Sequence, residues 1–180
     1  MGQTQSNFVL GDDYDHHGHK HVDRKTMKKI DLNRYTGTWW EAAKYPIKWE
    51  KECVSATANY TFDKIKQVLK VKNSCWSDPN AKKLIYSRTG EAWIPNMEDQ
   101  GRMKLEFTDG LPSDGVSDYL IHWTDYDNYA IVGGSDGQYL WVLSRKQKIP
   151  SGDIDMLIEY VKTYQYDPQK LVWNNYVFEI

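Results

Sequence analysis

Four of the five histidines lie close together near the N-terminus, where their imidazoles could bind a metal ion. They fall within six residues of one another, at His16, His17, His19 and His21. Neutral imidazole is a ligand for zinc, copper and nickel. The flanking residues are polar and charged, and histidines in such a segment bind metals weakly and without fixed geometry. We therefore treat them as weak metal-binding candidates, and we expect no cofactor in the folded part of the chain.

The two cysteines, Cys53 and Cys75, offer either a disulfide or two thiols. Because the N-terminus shows no secretory signal, we expect the chain in the cytoplasm or at a membrane surface, where thiols are by default reduced. Both cysteines flank a predicted hairpin that turns near residues 63–66, so a disulfide is within reach in an oxidising setting. The pattern of buried positions, however, predicts that directly opposed residues of the two strands have numbers with an odd sum. The numbers 53 and 75 have an even sum, so this pair needs a bulge or a one-residue shift of the register. The sequence leaves the bond open.

The first six residues, MGQTQS, match the M-G-x-x-x-[ST] pattern for myristoylation of Gly2. One acyl chain gives only marginal membrane attachment, which nearby basic residues can strengthen. Arg24, Lys25, Lys28 and Lys29 supply such residues. A peripheral membrane contact is one prediction for this segment, and an unmodified tail is the alternative.

Composition limits the class of protein. The chain has 180 residues and a formal net charge of −2, which does not indicate a nucleic-acid partner. No run approaches the roughly 18 apolar residues of a spanning helix. Residues 1–29 have little to bury and are predicted to form a flexible polar tail, with one folded domain over residues 30–180. The 8 Trp and 13 Tyr favour β-structure.

Alternation of apolar and polar residues predicts an all-β fold. The predicted strands cover residues 37–45, 54–63, 67–76, 82–94, 102–108, 117–125, 128–134 and 138–146. Eight such strands can close into an antiparallel up-and-down barrel that is wide enough for one small ligand. Helical spacing after Pro150 predicts one C-terminal α-helix outside the barrel, and residues 171–173 a short ninth strand.

Three motifs, in order and at matching spacing, resemble the signatures of the lipocalin family. They are Gly37 and Trp39 in DLNRYTGTWWE, then Thr124, Asp125 and Tyr126 in TDYDNYA, and finally Arg145 at the end of YLWVLSR. The similarity covers residues 30–176 and is nearest to the branch of bacterial outer-membrane lipocalins, apolipoprotein D and plant temperature-induced lipocalins. The resemblance implies an eight-stranded calyx in which Trp39 closes one end, with Arg145 over its ring in a cation–π contact.

The resemblance also implies non-catalytic binding of a small hydrophobic ligand, such as a fatty acid or lysophospholipid, linked to membrane maintenance or stress. Burial of apolar ligand surface would drive the binding. Strand alternation selects the residues that would face the ligand: Ala56, Ala58, Tyr60, Tyr86, Met103, Leu105, Phe107, Ile121, Trp123 and Tyr139. His122 would bind a carboxylate or phosphate head group if it points inward, and would be an ordinary strand histidine if it points outward.

Two other functions stay open, a lipid-modifying enzyme and a filled barrel that serves as an interaction module. Enzymatic lipocalins use a cysteine inside the second strand, whereas that strand here carries alanines and a tyrosine. We therefore expect no catalysis. The expected partner is the small hydrophobic ligand, without nucleic acid, and the expected state is a monomer or a weak dimer.

Overall fold

In the computed structural model of this chain, the described residues are 22–174 and 178–179. Gly2 and the four clustered histidines lie outside them. The acylation and metal-binding predictions for that segment therefore stay predictions.

Eight antiparallel strands follow one another along the chain, and each pairs with the next. They are β1 (Gly37–Lys44), β2 (Ser55–Asp63), β3 (Val68–Trp76), β4 (Leu84–Trp93), β5 (Arg102–Phe107), β6 (Ser117–Thr124), β7 (Tyr129–Gly133) and β8 (Leu140–Ser144). β8 also pairs with β1, which closes the sheet. The predicted eight-stranded up-and-down barrel is confirmed.

The remaining elements lie at the ends of the barrel and outside it. They are α1 (Leu32–Tyr35), a 3₁₀ turn (Lys48–Glu50), β9 (Ile149–Pro150), α2 (Ser151–Thr163), a second 3₁₀ turn (Pro168–Lys170), β10 (Val172–Trp173) and β11 (Phe178–Glu179). β10 pairs with β1, as the predicted short extra strand, and β11 runs parallel to β9. In the part of the chain that the structure describes, neither α-helix is long and apolar enough to cross a membrane.

The predicted outer helix packs against the barrel through one apolar stripe. Leu157 and Val161, four residues apart on α2, are fully buried in a cluster that includes Ile131 of β7 and Val142 of β8. A helix that buries a single stripe lies on a surface rather than inside a core. This cluster is separate from the one that fills the barrel interior.

Trp39 and Arg145 shut one end of the barrel, as the sequence motifs predict. The Trp39 ring is fully buried, and the Arg145 guanidinium carbon lies 3.7 Å from its centroid. The same guanidinium donates to the backbone carbonyls of Tyr126 (2.8 Å), Arg34 (2.9 Å) and Thr38 (3.2 Å). Three hydrogen bonds and a ring contact therefore connect α1, β1 and the turn before β7 at the closed end.

The other motif residues make the turns that this closure needs. Gly37 has φ +97°, and a Cβ there would lie 3.2 Å from Arg145 Nη1, so the position favours glycine. In the turn before β7, the Thr124 hydroxyl donates to Tyr129 O (2.8 Å), and Asp125 accepts from the Tyr129 amide (2.9 Å). Tyr126 accepts from the amide of Asp31 through its hydroxyl (3.0 Å).

Residues 22–29, which composition assigns to the free tail, pack along the barrel as a segment that we call the strap. The amide of Met27 donates to Ile121 O (3.0 Å), and its carbonyl accepts from the amide of Gly101 (2.8 Å). A Cβ on Gly101 would lie 2.6 Å from Ile121 O, so this close approach needs glycine. Thr26 is buried and donates to Asp99 (2.6 Å). Composition missed the strap because backbone pairing, rather than apolar burial, holds much of it.

Candidate functional site

The half of the interior next to the closed end is filled with packed side chains, and we call it the floor. Trp39, Leu69, Met103 and Ile121 are all fully buried there in one apolar cluster. Met103 and Ile121 were predicted to contact ligand. The structure places both inside the barrel, but as parts of this packed floor.

Three tyrosines from three elements meet within the floor. The Tyr119 hydroxyl lies 2.6 Å from that of Tyr35 and 2.8 Å from that of Tyr60. Burial raises the pKa of Tyr60 to about 12 and the pKa values of the other two well above their usual value, so all three stay protonated. The sequence predictions included Tyr60 but missed Tyr119, although the alternation that selected Ile121 also selects the position two residues earlier.

The interior above the floor, which we call the cup, is less completely packed than the floor. Ala58, Leu105 and Phe107 face inward, since they pair with Trp39, Ala92 and Gly90 on neighbouring strands. These three side chains are nevertheless only half-buried. They are thus less completely covered than the floor residues, which are fully buried.

Aromatic side chains line the mouth of the cup below the connection between β1 and β2. This connection, residues 46–54, is called the lid here. Trp49 of the lid lies 5.5 Å from the ring of Tyr139, which stacks on Trp141 at 6.0 Å. Tyr86 of β4 donates its hydroxyl to Trp49 O. The predicted residues Tyr86 and Tyr139 thus lie at the rim, and alternation along β8 could have added Trp141 to them.

A disulfide between Cys53 and Cys75 fastens the lid to β3, with the two Cα atoms 5.2 Å apart. The default expectation of reduced thiols is therefore wrong for this structure. Ala56 lies opposite Cys75, so the odd-sum register holds along the hairpin. Cys53 precedes β2, and its amide donates to Glu50 O (3.0 Å) where the chain bends. This bend brings the sulfurs together without a bulge in the hairpin.

A β-bulge brings two opposite charges into the cup. The pairing of β1 with β8 shifts between Glu41 and Ala43, so Glu41 lies opposite Leu143 and Lys44 lies opposite Trp141, both on the inward face. Strict alternation would put residues 41 and 44 on opposite faces. Nothing in the run WWEAAK signals the bulge, and sequence reasoning missed both residues.

Lys44 joins two carboxylates, one from its own strand and one from the lid. Its Nζ lies 2.9 Å from Glu41 Oε1 and 2.6 Å from Glu50 Oε2. Burial, reinforced by Glu50, raises the pKa of Glu41 well above its usual value, although Lys44 opposes the shift. Burial acts to lower the pKa of Lys44, but the two carboxylates together raise it. The ion pairs thus lie in an environment with little solvent.

A second cation at the mouth, Arg88 of β4, is also paired. Its Nε and Nη2 atoms donate to the two carboxylate oxygens of Asp109, at 2.7 and 3.1 Å, and its guanidinium lies over the Phe107 ring at 4.7 Å. These hydrogen bonds hold the pKa of Asp109 well below its usual range. A bidentate pair of this kind leaves little of the guanidinium for another anion.

The predicted site residue Trp123 faces away from the cup. The pairing of β6 shifts between Ile121 and Trp123, so Trp123 stacks on Tyr160 of α2, with centroids 4.4 Å apart. The prediction that Trp123 contacts ligand is corrected, because this bulge reverses the alternation.

His122 contacts the strap and the segment after α2 rather than a head group. Its Nδ1 lies 2.6 Å from Lys25 O, and its Nε2 lies 2.8 Å from the Tyr166 hydroxyl. Burial lowers the pKa of His122 to about 4, so the ring is neutral near pH 7. The carbonyl can only accept, so Nδ1 carries the proton and Nε2 accepts from Tyr166.

Comparison with known proteins identifies the family. The family model of the lipocalin-like domain matches residues 30–176. The chain belongs to the lipocalin family. Lipocalins bind small hydrophobic ligands and are generally not enzymes. The resemblance that the three motifs predict is therefore confirmed.

Two related lipocalins span most of this chain. Apolipoprotein D of Cavia porcellus is 26% identical over 153 residues, which cover 81% of this chain and 76% of the relative. The outer membrane lipoprotein Blc of Vibrio cholerae is 28% identical over 151 residues, covering 83% and 84%. These relatives give no support to the predicted cytoplasmic location.

Among solved lipocalin structures, insecticyanin from the tobacco hornworm Manduca sexta superposes with a TM-score of 0.65. It is 23% identical in sequence, and the match covers 86% of this chain and 85% of insecticyanin. At this identity the likeness concerns the fold alone.

Proposed function

We propose that this lipocalin binds one small amphipathic molecule, with the apolar part of the molecule in the cup. The observation that carries the proposal is the half-burial of Ala58, Leu105 and Phe107, which face the interior but are not fully covered by protein. A ligand that covers them gains roughly 25 cal/mol for each Å² of apolar surface removed from water. The acyl chain of a fatty acid or lysophospholipid fits this requirement, and membrane maintenance or stress is the proposed setting.

The predicted contact residues fall into groups with different proposed roles. The proposed lining of the cup is Ala56, Ala58, Leu105, Phe107 and Trp141, and the proposed rim is Tyr86 and Tyr139. Tyr60, Met103 and Ile121 form the floor on which the ligand would rest. This division follows from burial, because a fully packed side chain cannot gain a contact unless the floor opens. Ala56, which is 8% exposed, is placed in the lining by strand alternation alone.

Binding without catalysis is the proposed mode of action. The alternative of a cavity enzyme depends on a cysteine nucleophile, and both cysteines are bonded to each other. The alternative of a solid barrel requires a filled interior, which the half-buried cup residues oppose. The disulfide and the outer-membrane relative together favour an oxidising compartment as the place of action.

Calorimetric titration of the full chain with 1-decanol tests the proposal. The wild type should bind one equivalent, and Ala58→Trp should abolish binding because the new ring fills the cup. Thr61→Trp is the matched control, since Thr61 lies on the same strand and is exposed to solvent. Both variants should keep the circular dichroism spectrum of the wild type. Binding to folded Ala58→Trp with the affinity of the wild type would place the ligand elsewhere.

A further inference from the structure

We propose that the lid side of the mouth docks on the surface of an anionic lipid bilayer. This inference goes beyond the proposed function, because docking uses exposed side chains outside the cup and does not require a bound ligand. Docking in this orientation turns the mouth of the barrel toward the membrane, where an amphiphile can pass between the bilayer and the cup.

The first argument is that exposed large apolar side chains are concentrated at the mouth. Single exposed apolar residues are ordinary, but a contiguous apolar patch indicates a binding surface. The lid, the start of β4 and the connection between β5 and β6 carry side chains that are 41–55% exposed, namely Trp49, Val54, Leu84, Ile85, Leu111 and Val116. Since consecutive strands are antiparallel, these three segments all lie at the end of the barrel opposite its closed end.

The second argument is that the lid and the start of β4 form one continuous surface. The Tyr86 hydroxyl of β4 donates to Trp49 O in the lid. The amide of Val54 donates to Trp76 O (2.8 Å), and Trp76 pairs with Leu84. We call this surface the docking face, and its apolar side chains are Trp49, Val54, Leu84 and Ile85.

The third argument is the positive charge around these apolar side chains. Four exposed lysines belong to the docking face, Lys48 and Lys51 in the lid and Lys82 and Lys83 before β4. Its carboxylates are fewer. Glu52 is exposed, and Asp78 accepts hydrogen bonds from the amides of Lys82 and Lys83. The docking face therefore carries an excess of positive charge.

The other acidic groups at the mouth do not cancel this excess. Glu50 and Asp109 are each paired with a cation, at 2.6 and 2.7 Å. The exposed carboxylates of Asp114 and Asp136 lie on the β5–β6 and β7–β8 connections, outside the docking face. A negatively charged surface is consequently attracted to the lid side of the mouth rather than to the whole rim.

A bilayer matches both properties of the docking face. Tryptophan is favoured at the interface between lipid and water, because its ring is apolar and its N–H is polar. Lysines are attracted to anionic lipid head groups. A second copy of this chain is a poorer occupant, since a symmetric contact would bring the same lysines of the two copies together. The docking face therefore fits an anionic bilayer better than a second protomer.

Co-sedimentation with lipid vesicles tests the proposal. The full chain carries Gly2→Ala, so that no acyl chain contributes to binding. It should bind vesicles of phosphatidylcholine with about 30% phosphatidylserine roughly tenfold more strongly than vesicles of phosphatidylcholine alone. Equal binding to both compositions, or no binding to the mixed vesicles, would overturn the proposal. A dimer in solution that does not bind vesicles would instead assign the docking face to a second copy.

Two variants of the docking face, each with a matched control at the closed end, locate the binding. Lys83→Glu should lower the partition into mixed vesicles by about tenfold, and Trp49→Ser by about fivefold. The controls are Lys64→Glu and Ile65→Ser in the turn between β2 and β3, where Lys64 is exposed and Ile65 is 97% exposed. Both controls should bind as the wild type does, and all four variants should keep its circular dichroism spectrum. Equal losses in a variant and its control would contradict the assignment of the docking face, as would wild-type binding in either docking-face variant.

Discussion

The floor and the cup share the same eight strands but are stabilised in different ways. The floor is apolar and fully buried, and its tyrosine hydroxyls bond to one another. The cup combines half-buried apolar side chains with ion pairs, and its lid is fixed by a disulfide and by Lys44. Packing therefore accounts for the floor, whereas a covalent bond and electrostatics account for the mouth.

This difference separates stability from ligand recognition within one barrel. A fully packed region stabilises the fold but offers no vacant surface, and an unfilled region forgoes that stabilisation and can take a ligand. Substitutions in the floor should consequently lower the free energy of unfolding. Substitutions of charged cup residues should instead change the affinity for the ligand.

The largest expected effect is the loss of stability when a floor side chain is truncated. Trp39→Ala should lower the free energy of unfolding by about 3–5 kcal/mol, because it leaves a cavity below Arg145. Trp49→Ala, at the mouth, should cost no more than about 0.5 kcal/mol, since the ring is 55% exposed. Urea unfolding of both variants measures the contrast. Equal losses would show that the mouth contributes to stability as much as the floor.

The next effect concerns the lid. Replacement of both Cys53 and Cys75 by serine should lower the free energy of unfolding by about 3 kcal/mol, as expected for a bond that closes a loop of this length. The two residues are 22 positions apart. Hydrogen exchange should show faster opening of the lid, with the floor strands still protected. An unchanged urea midpoint would contradict this role of the bond.

The strap, which packs beside the floor, should make stability depend on pH through His122. Burial lowers the His122 pKa from 6.5 to about 4, so between these values the unfolded chain takes up a proton that the folded chain does not. The lowered pKa of His122 therefore contributes to the free energy of unfolding, and this contribution is present above pH 6.5. About 2 kcal/mol of it should be lost between pH 7 and pH 5.

Urea unfolding at both pH values measures this loss. His122→Gln provides the control, because it removes the titrating group. An identical pH dependence in the wild type and the variant would assign the effect to other residues.

The smallest effect concerns the charge balance at the mouth. Asp109→Asn leaves Arg88 without its bidentate partner, so the affinity for decanoate should rise by about threefold to fivefold. Asp114→Asn, in the exposed segment that follows, is the matched control and should leave the affinity unchanged. Calorimetry with decanoate gives both values. Equal affinities in the two variants would show that Arg88 does not bind the decanoate carboxylate.

Much of the fold was predictable because its signals are local. Alternation along each strand, the helical stripe of α2 and the motifs around Trp39 and Arg145 all lie within short stretches of sequence. The site was less predictable. Ala58, Leu105 and Phe107 followed from alternation, whereas Trp123 was misplaced because the bulge in β6 depends on how the strand pairs with β7. The strap was missed because its partners are distant along the chain.

The sequence by itself determined a closed barrel with an outer helix and a plugged end, since the periodicity of burial and the motif residues act over neighbouring positions. Only the tertiary structure decided which charges lie inside. The bulge in β1 turns Lys44 toward the same interior as Glu41, and the lid brings in Glu50 from outside the strand. The physical reason is that the effect of a charge depends on partners within a few ångströms and on exclusion of water, and barrel closure sets both.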